Sequence, residues 1–280
     1  MNLLQEYSTV LTIAGSDGSG GAGIQADLKA IAACGCYGLS VITSVTAQNT
    51  MGVTASYAIP AHFIVKQFEA LVDDIRIDAV KIGMLGSQEA AETVTELLGR
   101  IKGIPVVLDT VLRSSSGKTL FPGESLSSMK RIFPLATLIT PNLPEAALLT
   151  GREKSPTTWE EIEQAALQLN REGASSVLVK GGHGEGNECS DCLLHQGRFY
   201  WFSNRKIVTQ NTHGTGCTLS SAIAAELAKG TAMTDAVGNA VNYTRSALEA
   251  GASWRLGHGK GPLQHFPQGC FATRGKRPIE

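Results

Sequence analysis

The sequence predicts a single α/β domain with three layers, in which helices cover both faces of a mostly parallel sheet. Short β-branched runs alternate with longer segments of helical period through most of the 280 residues, and this alternation is typical of strand-helix-strand units. Hydrophobic residues make up 42% of the chain and charged residues 18%, which provides enough apolar surface for a sizeable core. No repeat, linker or composition step divides the chain, so one domain is favoured over two.

Short apolar runs predict the buried strands of the sheet. They occupy residues 10–14, 39–43, 79–82, 106–109, 137–140 and 177–180. Residues 50–59 form a further β-rich segment, which indicates an edge strand or a small flap. Residues 191–203 are typical of a hairpin that turns at 195–198. Ligands of open α/β folds bind at the carboxyl ends of the strands, so we expect the site at that edge.

Helical patterns are clearest over residues 88–102 and 158–172. In the second segment, Thr158 and Glu161 have the spacing of a capping box. One face of this helix carries Trp159, Ile162, Ala166 and Leu169. Two more helices are predicted over 215–229 and 234–250, and a glycine-rich tail follows them.

Charge and cysteine content exclude several classes of protein. The formal net charge of −1 offers no basic surface to a phosphate backbone, so no nucleic-acid partner is expected. No apolar stretch reaches the ~20 residues that cross a bilayer. Residues 1–7 are too polar and short for a signal peptide, so we expect a cytoplasmic protein without membrane contact. Six cysteines in 280 residues are too sparse for a disulfide scaffold.

Two glycine-rich loops leave alternatives open. The first, residues 15–23, contains the G-x-G-x-x-G pattern but lacks the acid or arginine that a dinucleotide site places ~20 residues further on. This loop therefore either lets its backbone approach a small ligand closely or forms a flexible turn. The second follows Lys180, whose side chain could equally reach out of the sheet into solvent.

The third glycine-rich loop, residues 211–217, is the most informative because a helix begins in it. The backbone N–H groups of Gly214, Thr215 and Gly216 can converge on an anion, and the helix dipole adds about half a positive charge there. Phosphoryl transfer needs such donors. We expect the same helix terminus to lower the pKa of the Cys217 thiol, which suits a base or a nucleophile. The plain alternative is a small buried side chain.

Further segments carry a family resemblance together with these loops. They are residues 11–17, 19–27, 47–50, 81–85, 109–111, 140–145, 180–183, 211–217 and 257–259. They resemble the ribokinase-like superfamily, and within it the hydroxymethylpyrimidine/phosphomethylpyrimidine kinases of thiamine biosynthesis. The resemblance implies a ribokinase-like domain over 9–266, an N-terminal extension over 1–8 and a C-terminal tail over 267–280. It also implies a homodimer that phosphorylates 4-amino-5-hydroxymethyl-2-methylpyrimidine and then its monophosphate, using ATP and Mg²⁺.

The same resemblance implies roles on the substrate side. The N–H groups at the third loop form the anion hole, and Cys217 takes the proton of the hydroxymethyl group. The implied substrate contacts are Gly15, Ala22, Asp27, Gln48, Met84 and Val111. The carboxylate of Asp27 and the amide of Gln48 suit the ring nitrogens and amine of an aminopyrimidine, and the apolar contacts supply walls. Considered alone, Asp27 could instead be a carboxylate without a ligand, placed near a helix start where the helix dipole favours a negative charge.

On the nucleotide side, the resemblance implies that Asn142 and Lys180 contact ATP and that Asp109 and Glu145 hold Mg²⁺, through water. Glu145 has a structural alternative, because the segment from Asn142 to Glu145 is also a helix-start pattern. Residues 110–121 are interpreted as a lid that excludes water from the transfer.

Other interpretations are less favoured. His183, Cys189, Cys192 and His195 are zinc-ligand types around a Cys-x-x-Cys spacing, but His195 is expected in a hairpin turn. A pyridoxal or dual-specificity kinase of the same fold is the main alternative function. A non-catalytic pyrimidine sensor is another, which the magnesium and anion-hole residues argue against.

Overall fold

A computed structural model of the chain describes residues 5–113, 117, 120–121, 125–181 and 187–269. The strands of this part form one sheet of nine: β1 Thr9–Asp17, β2 Tyr37–Asn49, β3 Gly52–Ala58, β4 Ala79–Ile82, β5 Val106–Leu108, β6 Leu138–Ile139, β7 Ser176–Val179, β8 Glu188–His195 and β9 Arg198–Arg205. Its helices are α1 Gly23–Ala33, α2 Ala61–Val72, α3 Gln88–Leu98, α4 Leu126–Lys130, α5 Leu143–Thr150, α6 Trp159–Arg171, α7 Thr215–Ala228 and α8 Met233–Gly251.

The order of strands across the sheet is β3-β2-β1-β4-β5-β6-β7-β8-β9. Neighbours from β2 to β7 run parallel, whereas β3, β8 and β9 pair in antiparallel fashion at the two edges. The expected edge strand after residue 50 is β3, and the expected hairpin is β8 with β9. That hairpin turns through Gln196 and Gly197, which both have positive φ. The predicted mostly parallel sheet is therefore confirmed.

Helices cover both faces of the sheet because successive residues of the central strands point to opposite sides. On β1 and β4, Val10 and Ala79 pack against the layer of α7 and α8, whereas Leu11 and Val80 pack against the layer of α2, α3 and α6. The same alternation continues across β5 and β7. The protein thus has two apolar cores, one on each side of the sheet, and the predicted three-layer architecture is confirmed.

Two details differ from the sequence prediction. The capping box of Thr158 and Glu161 forms as expected at the start of α6, but Trp159 lies outside the core. Its side chain is 54% exposed and stacks on Trp201 of β9, with ring centroids 4.3 Å apart. Ile162 is the first residue of α6 that is buried in the core, and Trp159 precedes it at the very start of the helix, so the helical period alone misplaces Trp159. The third helix ends at Leu98 rather than at residue 102, just before Gly99.

The limits 9–266 for the domain stay a prediction, since residues 1–4 and 270–280 lie outside the described part of the chain. None of the helices in the described part has both the length and the apolar character of a membrane span.

Candidate active site

Polar residues, among them the predicted Gln48, Asp109 and Lys180, lie at the carboxyl ends of neighbouring parallel strands. Asp17 ends β1, Gln48 lies near the end of β2, Asp109 follows β5 and Lys180 follows β7. The N-terminus of α7 lies at the same edge, because a Cβ built on Gly216 would be 3.2 Å from Lys180 Nζ and 3.5 Å from Asp109 Oδ2. The structure therefore brings together the predicted anion hole, the lysine and one of the two predicted metal carboxylates.

The start of α7 has the geometry of an anion site. Gly214 is the N-cap of the helix and has a φ of +85°, a left-handed conformation that favours glycine. A Cβ at this position would also overlap the carbonyl oxygen of Gly21. Gly214 has no side chain to cap the helix. The Thr215 N–H donates to the carbonyl of Thr212 at 3.3 Å, and the N–H of Gly216 is left for another acceptor. Thr215 and Gly216 are partly exposed, which gives a ligand access to them.

Lys180 and Asp109 form an ion pair beside this helix terminus. Lys180 Nζ lies 2.6 Å from Asp109 Oδ1, and the hydroxyl of Thr140 donates to the same oxygen at 3.0 Å. Burial opposes the charge on Asp109, but the ammonium groups of Lys180 and Lys81 hold the pKa of its carboxyl below the usual range. Burial likewise opposes the charge on Lys180, and Asp109 and Glu145 raise its pKa. Both groups are therefore charged at neutral pH.

Glu145 fulfils the structural alternative that the sequence offered. It forms a capping box with Asn142 at the start of α5: the Asn142 side chain accepts from the Glu145 N–H at 2.8 Å, and Glu145 Oε2 accepts from the Asn142 N–H at 2.9 Å. Burial raises the pKa of the Glu145 carboxyl to about 7, with Lys180 lowering it and Asp109 raising it.

The two carboxylates fit a magnesium ion in their chemistry. Asp109 and Glu145 are almost fully buried and repel each other strongly enough that Asp109 contributes to the raised pKa of Glu145. A divalent cation near both would remove this repulsion and restore the charge on Glu145. Mg²⁺ is typically held by one or two carboxylates together with phosphate oxygens and water. Asp109 and Glu145 supply the two carboxylates, and the nucleotide phosphates and water would supply the other oxygen ligands.

Most of the predicted substrate contacts gather near the ends of β1 and β4. The N–H of Gly15 donates to the carbonyl of Met84 at 3.0 Å, and a Cβ on Gly15 would overlap the Met84 side chain. The N–H of Ala22 donates to Asp17 Oδ2 at 2.9 Å. Val111 follows Asp109 and is half-buried, as Met84 is. A half-buried apolar surface thus lies close to the ion pair.

Asp27 is enclosed by protein groups in this structure, and its assignment as a substrate contact stays a prediction. Its side chain has no exposed surface. Lys81 Nζ donates to both carboxylate oxygens at 2.8 Å, and the hydroxyls of Thr12 and Ser221 donate at 2.6 and 2.9 Å. Lys81 is on the face of β4 that packs against α1 and α7, so its charge requires a partner there. Asp27 is that partner.

Cys217 lies at the start of α7 as predicted, but the pKa of its thiol differs from the prediction. It is partly exposed in the first turn of α7. Burial is the largest influence and raises the pKa of its thiol to about 11, although Lys81 and the Gly23 N–H act in the opposite direction. The expected lowering by the helix terminus is therefore wrong for the ligand-free protein, because loss of hydration outweighs it.

Sequence reasoning assigned no role to Asp17 and His213, which the structure joins. His213 Nε2 lies 2.8 Å from Asp17 Oδ2 and 3.3 Å from the side-chain amide of Gln48. Asp17 also accepts from the Ser19 N–H and hydroxyl. Both residues belong to the matched segments, and each lies next to a glycine-rich loop. That position was the signal that could have found them.

Two predictions fall wholly or partly outside the described residues. The lid over 110–121 includes 114–116 and 118–119, which are not described. His183 of the zinc set is also not described, so that set stays untested. Of its other members, Cys192 is buried in the core, and His195 Nδ1 lies 2.8 Å from the hydroxyl of Ser176.

Comparison with known proteins shows the family. The sequence model of the family described as phosphomethylpyrimidine kinase matches residues 17–264. A hydroxymethylpyrimidine/phosphomethylpyrimidine kinase of Escherichia coli is 45% identical, covering 91% of this chain and 96% of that protein. Among solved structures, a phosphomethylpyrimidine kinase from Clostridium difficile is 41% identical, with a TM-score of 0.76 over 86% of this chain and 99% of that chain.

A pyridoxal kinase from Staphylococcus aureus in complex with AMP-PCP and pyridoxal is 30% identical, with a TM-score of 0.84 over 94% of this chain and 95% of that chain. The fold is thus shared with kinases of a second vitamin, whereas the family model and the E. coli relative both name the pyrimidine. The chain belongs to the phosphomethylpyrimidine kinase family.

Proposed function

We propose that this protein transfers the terminal phosphoryl group of ATP to the hydroxymethyl oxygen of 4-amino-5-hydroxymethyl-2-methylpyrimidine, and then to the monophosphate, in thiamine biosynthesis. The observation that carries the proposal is the meeting of Lys180 and Asp109 with the N-terminus of α7 at Gly216. Phosphoryl transfer depends on positioning and on stabilising charge at the transferred group, and this arrangement offers both. The names of the matched family and of the E. coli relative support the choice of substrate.

On the nucleotide side, the N–H groups at Thr215 and Gly216 bind the transferred phosphoryl group, and Thr215 gives up its 3.3 Å contact with the Thr212 carbonyl to do so. Lys180 shifts its partnership from Asp109 to the phosphates, a short movement because Gly216 is adjacent to both. Asp109 and Glu145 would hold Mg²⁺, which supplies charge neutralisation between the phosphates. Asn142 keeps Glu145 in place through the capping box and borders the nucleotide.

On the substrate side, Gln48 contacts the pyrimidine ring, and Gly15, Ala22, Met84 and Val111 surround it. Asp27 acts through Lys81 as a positioning residue beneath the pocket, since it has no exposed surface. The half-buried apolar contacts suit the methyl group and ring faces of the substrate.

Cys217 is the proposed base. Its thiolate takes the hydroxymethyl proton, the alcohol oxygen bonds to the terminal phosphorus, and the bond from that phosphorus to the ADP oxygen breaks. With a thiol pKa of about 11, forming the thiolate at pH 7 costs about 5 kcal/mol. Lys81 is the strongest of the groups that reduce this cost.

The direct test is product analysis by mass spectrometry with the pyrimidine, ATP and Mg²⁺. We expect the monophosphate first and the diphosphate after it. A parallel reaction with pyridoxal tests the alternative that the S. aureus structure favours. Phosphorylation of pyridoxal alone would overturn the pyrimidine assignment, and absence of both products would overturn the kinase assignment for this chain.

Replacement of Cys217 tests the base. We expect Cys217→Ala to lower kcat by about 10²–10⁴-fold, the usual contribution of a general base, while the Kd for ATP stays unchanged. In the unsubstituted protein, kcat should rise with pH from 7 towards 10, because the fraction of thiolate grows as the pH approaches the thiol pKa of about 11. Cys189→Ala on β8 is the matched control and should keep normal turnover. Near-normal turnover of Cys217→Ala would contradict the assignment.

We propose a cytoplasmic homodimer. A cytoplasmic location supplies ATP and keeps the thiol of Cys217 reduced. The exposed edge strand β3 and its flanks offer an interface, because Met51 and Tyr57 are 67% and 64% exposed. Sedimentation equilibrium should give twice the monomer mass of 29.5 kDa, and a monomer at micromolar concentration would exclude this assembly.

A further inference from the structure

The Asp17–His213 contact lies between the pyrimidine side and the phosphate side of the site. His213 directly precedes Gly214, and its N–H donates to the carbonyl of Gly261 at 3.1 Å. A Cβ on Gly21 would overlap the His213 ring, so the first glycine-rich loop packs directly on the imidazole. The ring is therefore held from several sides, and its hydrogen-bonding pattern is fixed by its neighbours.

Asp17 determines which ring nitrogen of His213 carries a proton. Asp17 is 3% exposed, and it accepts from the Ser19 N–H at 2.9 Å, the Ser19 hydroxyl at 2.7 Å and the Ala22 N–H at 2.9 Å. Burial opposes its charge, but the hydrogen bonds from His213 and Ser19 lower the pKa of the carboxyl to about 2. A carboxylate accepts hydrogen bonds and cannot donate them. His213 Nε2, at 2.8 Å from Asp17 Oδ2, must therefore bear hydrogen.

The protonated nitrogen in turn determines the orientation of the Gln48 amide. The structure places Gln48 Nε2 at 3.3 Å from His213 Nε2 and Gln48 Oε1 at 3.2 Å from the Thr46 hydroxyl. A nitrogen that bears hydrogen cannot accept from the Gln48 NH₂ group. Since the oxygen and nitrogen of an amide are assigned from their hydrogen bonds, we exchange the two atoms, so that the oxygen faces His213. The other neighbour allows the same orientation. The Thr46 hydroxyl lies 2.8 Å from the carbonyl of Ser16 and 3.2 Å from Gln48 Oε1, and its single proton can serve only one of these oxygens. If that proton goes to the nearer Ser16 carbonyl, the Thr46 oxygen can accept from Gln48 once the amide nitrogen faces it.

One donor remains after these contacts. In the exchanged orientation the Gln48 amide nitrogen faces Thr46, which accepts one of its two hydrogens. The second is available to a ligand beside the half-buried Gln48 side chain. A ring nitrogen with a lone pair can accept it, whereas a ring C–H leaves the donor without a partner, which is costly in a desolvated site.

We propose that Asp17 and His213 form a positioning pair that turns an N–H of Gln48 toward the ligand, so that the pocket selects a ring with an unprotonated nitrogen at that point. The inference rests on the proposed function, because Gln48 is there assigned to the pyrimidine ring. It adds the reason why that amide donates rather than accepts, and it names the residues that enforce this choice.

The first experiment is NMR of the ¹⁵N-histidine-labelled protein without ligand, with His213→Leu to assign the signals among the six histidines. We expect His213 to show hydrogen on Nε2 at neutral pH. An Nε2 that bears only a lone pair would overturn the inference. This result does not depend on which substrate the protein phosphorylates, so it separates failure of the inference from failure of the proposed function.

The second experiment compares the hydroxymethylpyrimidine with analogues in which one ring nitrogen at a time is replaced by C–H. We expect the unsubstituted protein to reject one of the analogues by at least 10²-fold in kcat/KM. His213→Leu should raise the KM for the pyrimidine about tenfold, keep kcat within threefold and the KM for ATP unchanged, and reduce the discrimination to less than tenfold. Unchanged discrimination, or a loss confined to kcat, would overturn the positioning role.

His265→Leu is the matched control. His265 is also a buried histidine beside α7, and its Nε2 lies 3.0 Å from the hydroxyl of Thr218. This variant tests for general loosening near the helix. It should lower the melting temperature without changing discrimination between the ring analogues, and an equal loss of discrimination in both variants would overturn a specific role for His213.

Discussion

Two buried lysine–aspartate pairs lie close to the N-terminal half of α7, and they differ in what surrounds them. Lys81 and Asp27 have no exposed side-chain surface, and Thr12 and Ser221 complete the hydrogen bonding of the carboxylate. Lys180 and Asp109 are 13% and 2% exposed and lie beside Gly216. The same pair of residue types is thus structural where every partner belongs to the protein, and available for a ligand where one side opens to the anion site.

Breaking the enclosed pair should have the largest effect. Lys81→Met leaves the Asp27 carboxylate buried without its cation, and we expect the free energy of unfolding to fall by about 3–5 kcal/mol. Urea denaturation measures this change. Arg100→Met is the control, because Arg100 and Glu69 also lie 2.8 Å apart but are about half exposed, so its loss should cost at most about 1 kcal/mol. Equal losses in the two variants would contradict the comparison.

Breaking the open pair should affect catalysis more than stability. We expect Lys180→Met to lower kcat by about 10²–10³-fold, the cost of removing one group that stabilises the transferred charge. Its free energy of unfolding should fall less than that of Lys81→Met, because Lys180 is 13% exposed whereas Lys81 has no exposed side-chain surface. Pyrimidine-dependent ADP formation and urea denaturation measure the two effects. Lys130→Met, which breaks the ion pair with Glu172, should leave turnover unchanged. Full activity of Lys180→Met would refute its role.

A third carboxylate, that of Asp191, sharpens the comparison, because no ammonium group in the described part of the chain is bonded to it. Asp191 Oδ1 accepts from the Gly181 N–H at 2.7 Å, and burial raises the pKa of the carboxyl from 3.8 to about 6, with this hydrogen bond and Lys180 acting in the opposite direction. The folded state therefore binds more protons than the unfolded state between pH 4 and 6, and stability falls as the pH rises through that window.

Asp191→Asn keeps an acceptor for Gly181 and removes the charge. Relative to the unsubstituted protein, the variant should gain free energy of unfolding as the pH rises from 4 to 6, reaching up to about 3 kcal/mol and remaining constant above. Thermal denaturation across this range measures the difference. A difference that does not change with pH would show that the carboxyl is not destabilised by burial.

The sequence was sufficient for features that depend on local pattern. Alternating strands and helices, the edge strand after residue 50, the β8–β9 hairpin and the capping box at Thr158 follow from period and turn chemistry, and all of them form. The convergence of Asp109, Lys180 and Gly216 follows from a general property of parallel sheets, whose carboxyl ends share an edge.

Features that depend on packing between distant segments could not be predicted in the same way. Asp27 appears in the sequence as a charge near a helix start, and its burial depends on Lys81, 54 residues away, and Ser221, 194 residues away. The pKa of the Cys217 thiol depends on how much water the surrounding segments exclude, which outweighs the local helix terminus. Trp159 fits the helical period but is exposed, because the buried face of α6 begins only at Ile162.

The close approach of Gly21 and Gly214 sets the distance between the first and third glycine-rich loops. The carbonyl oxygen of Gly21 occupies the space that a methyl group on Gly214 would need. The first glycine-rich loop borders the proposed pyrimidine pocket and the third carries the proposed anion hole. In the proposed reaction, the contact between the two loops therefore sets the distance that the phosphoryl group crosses. An alanine at Gly214 would force the two loops apart. It would lengthen the path from donor to acceptor without removing any functional group from the site.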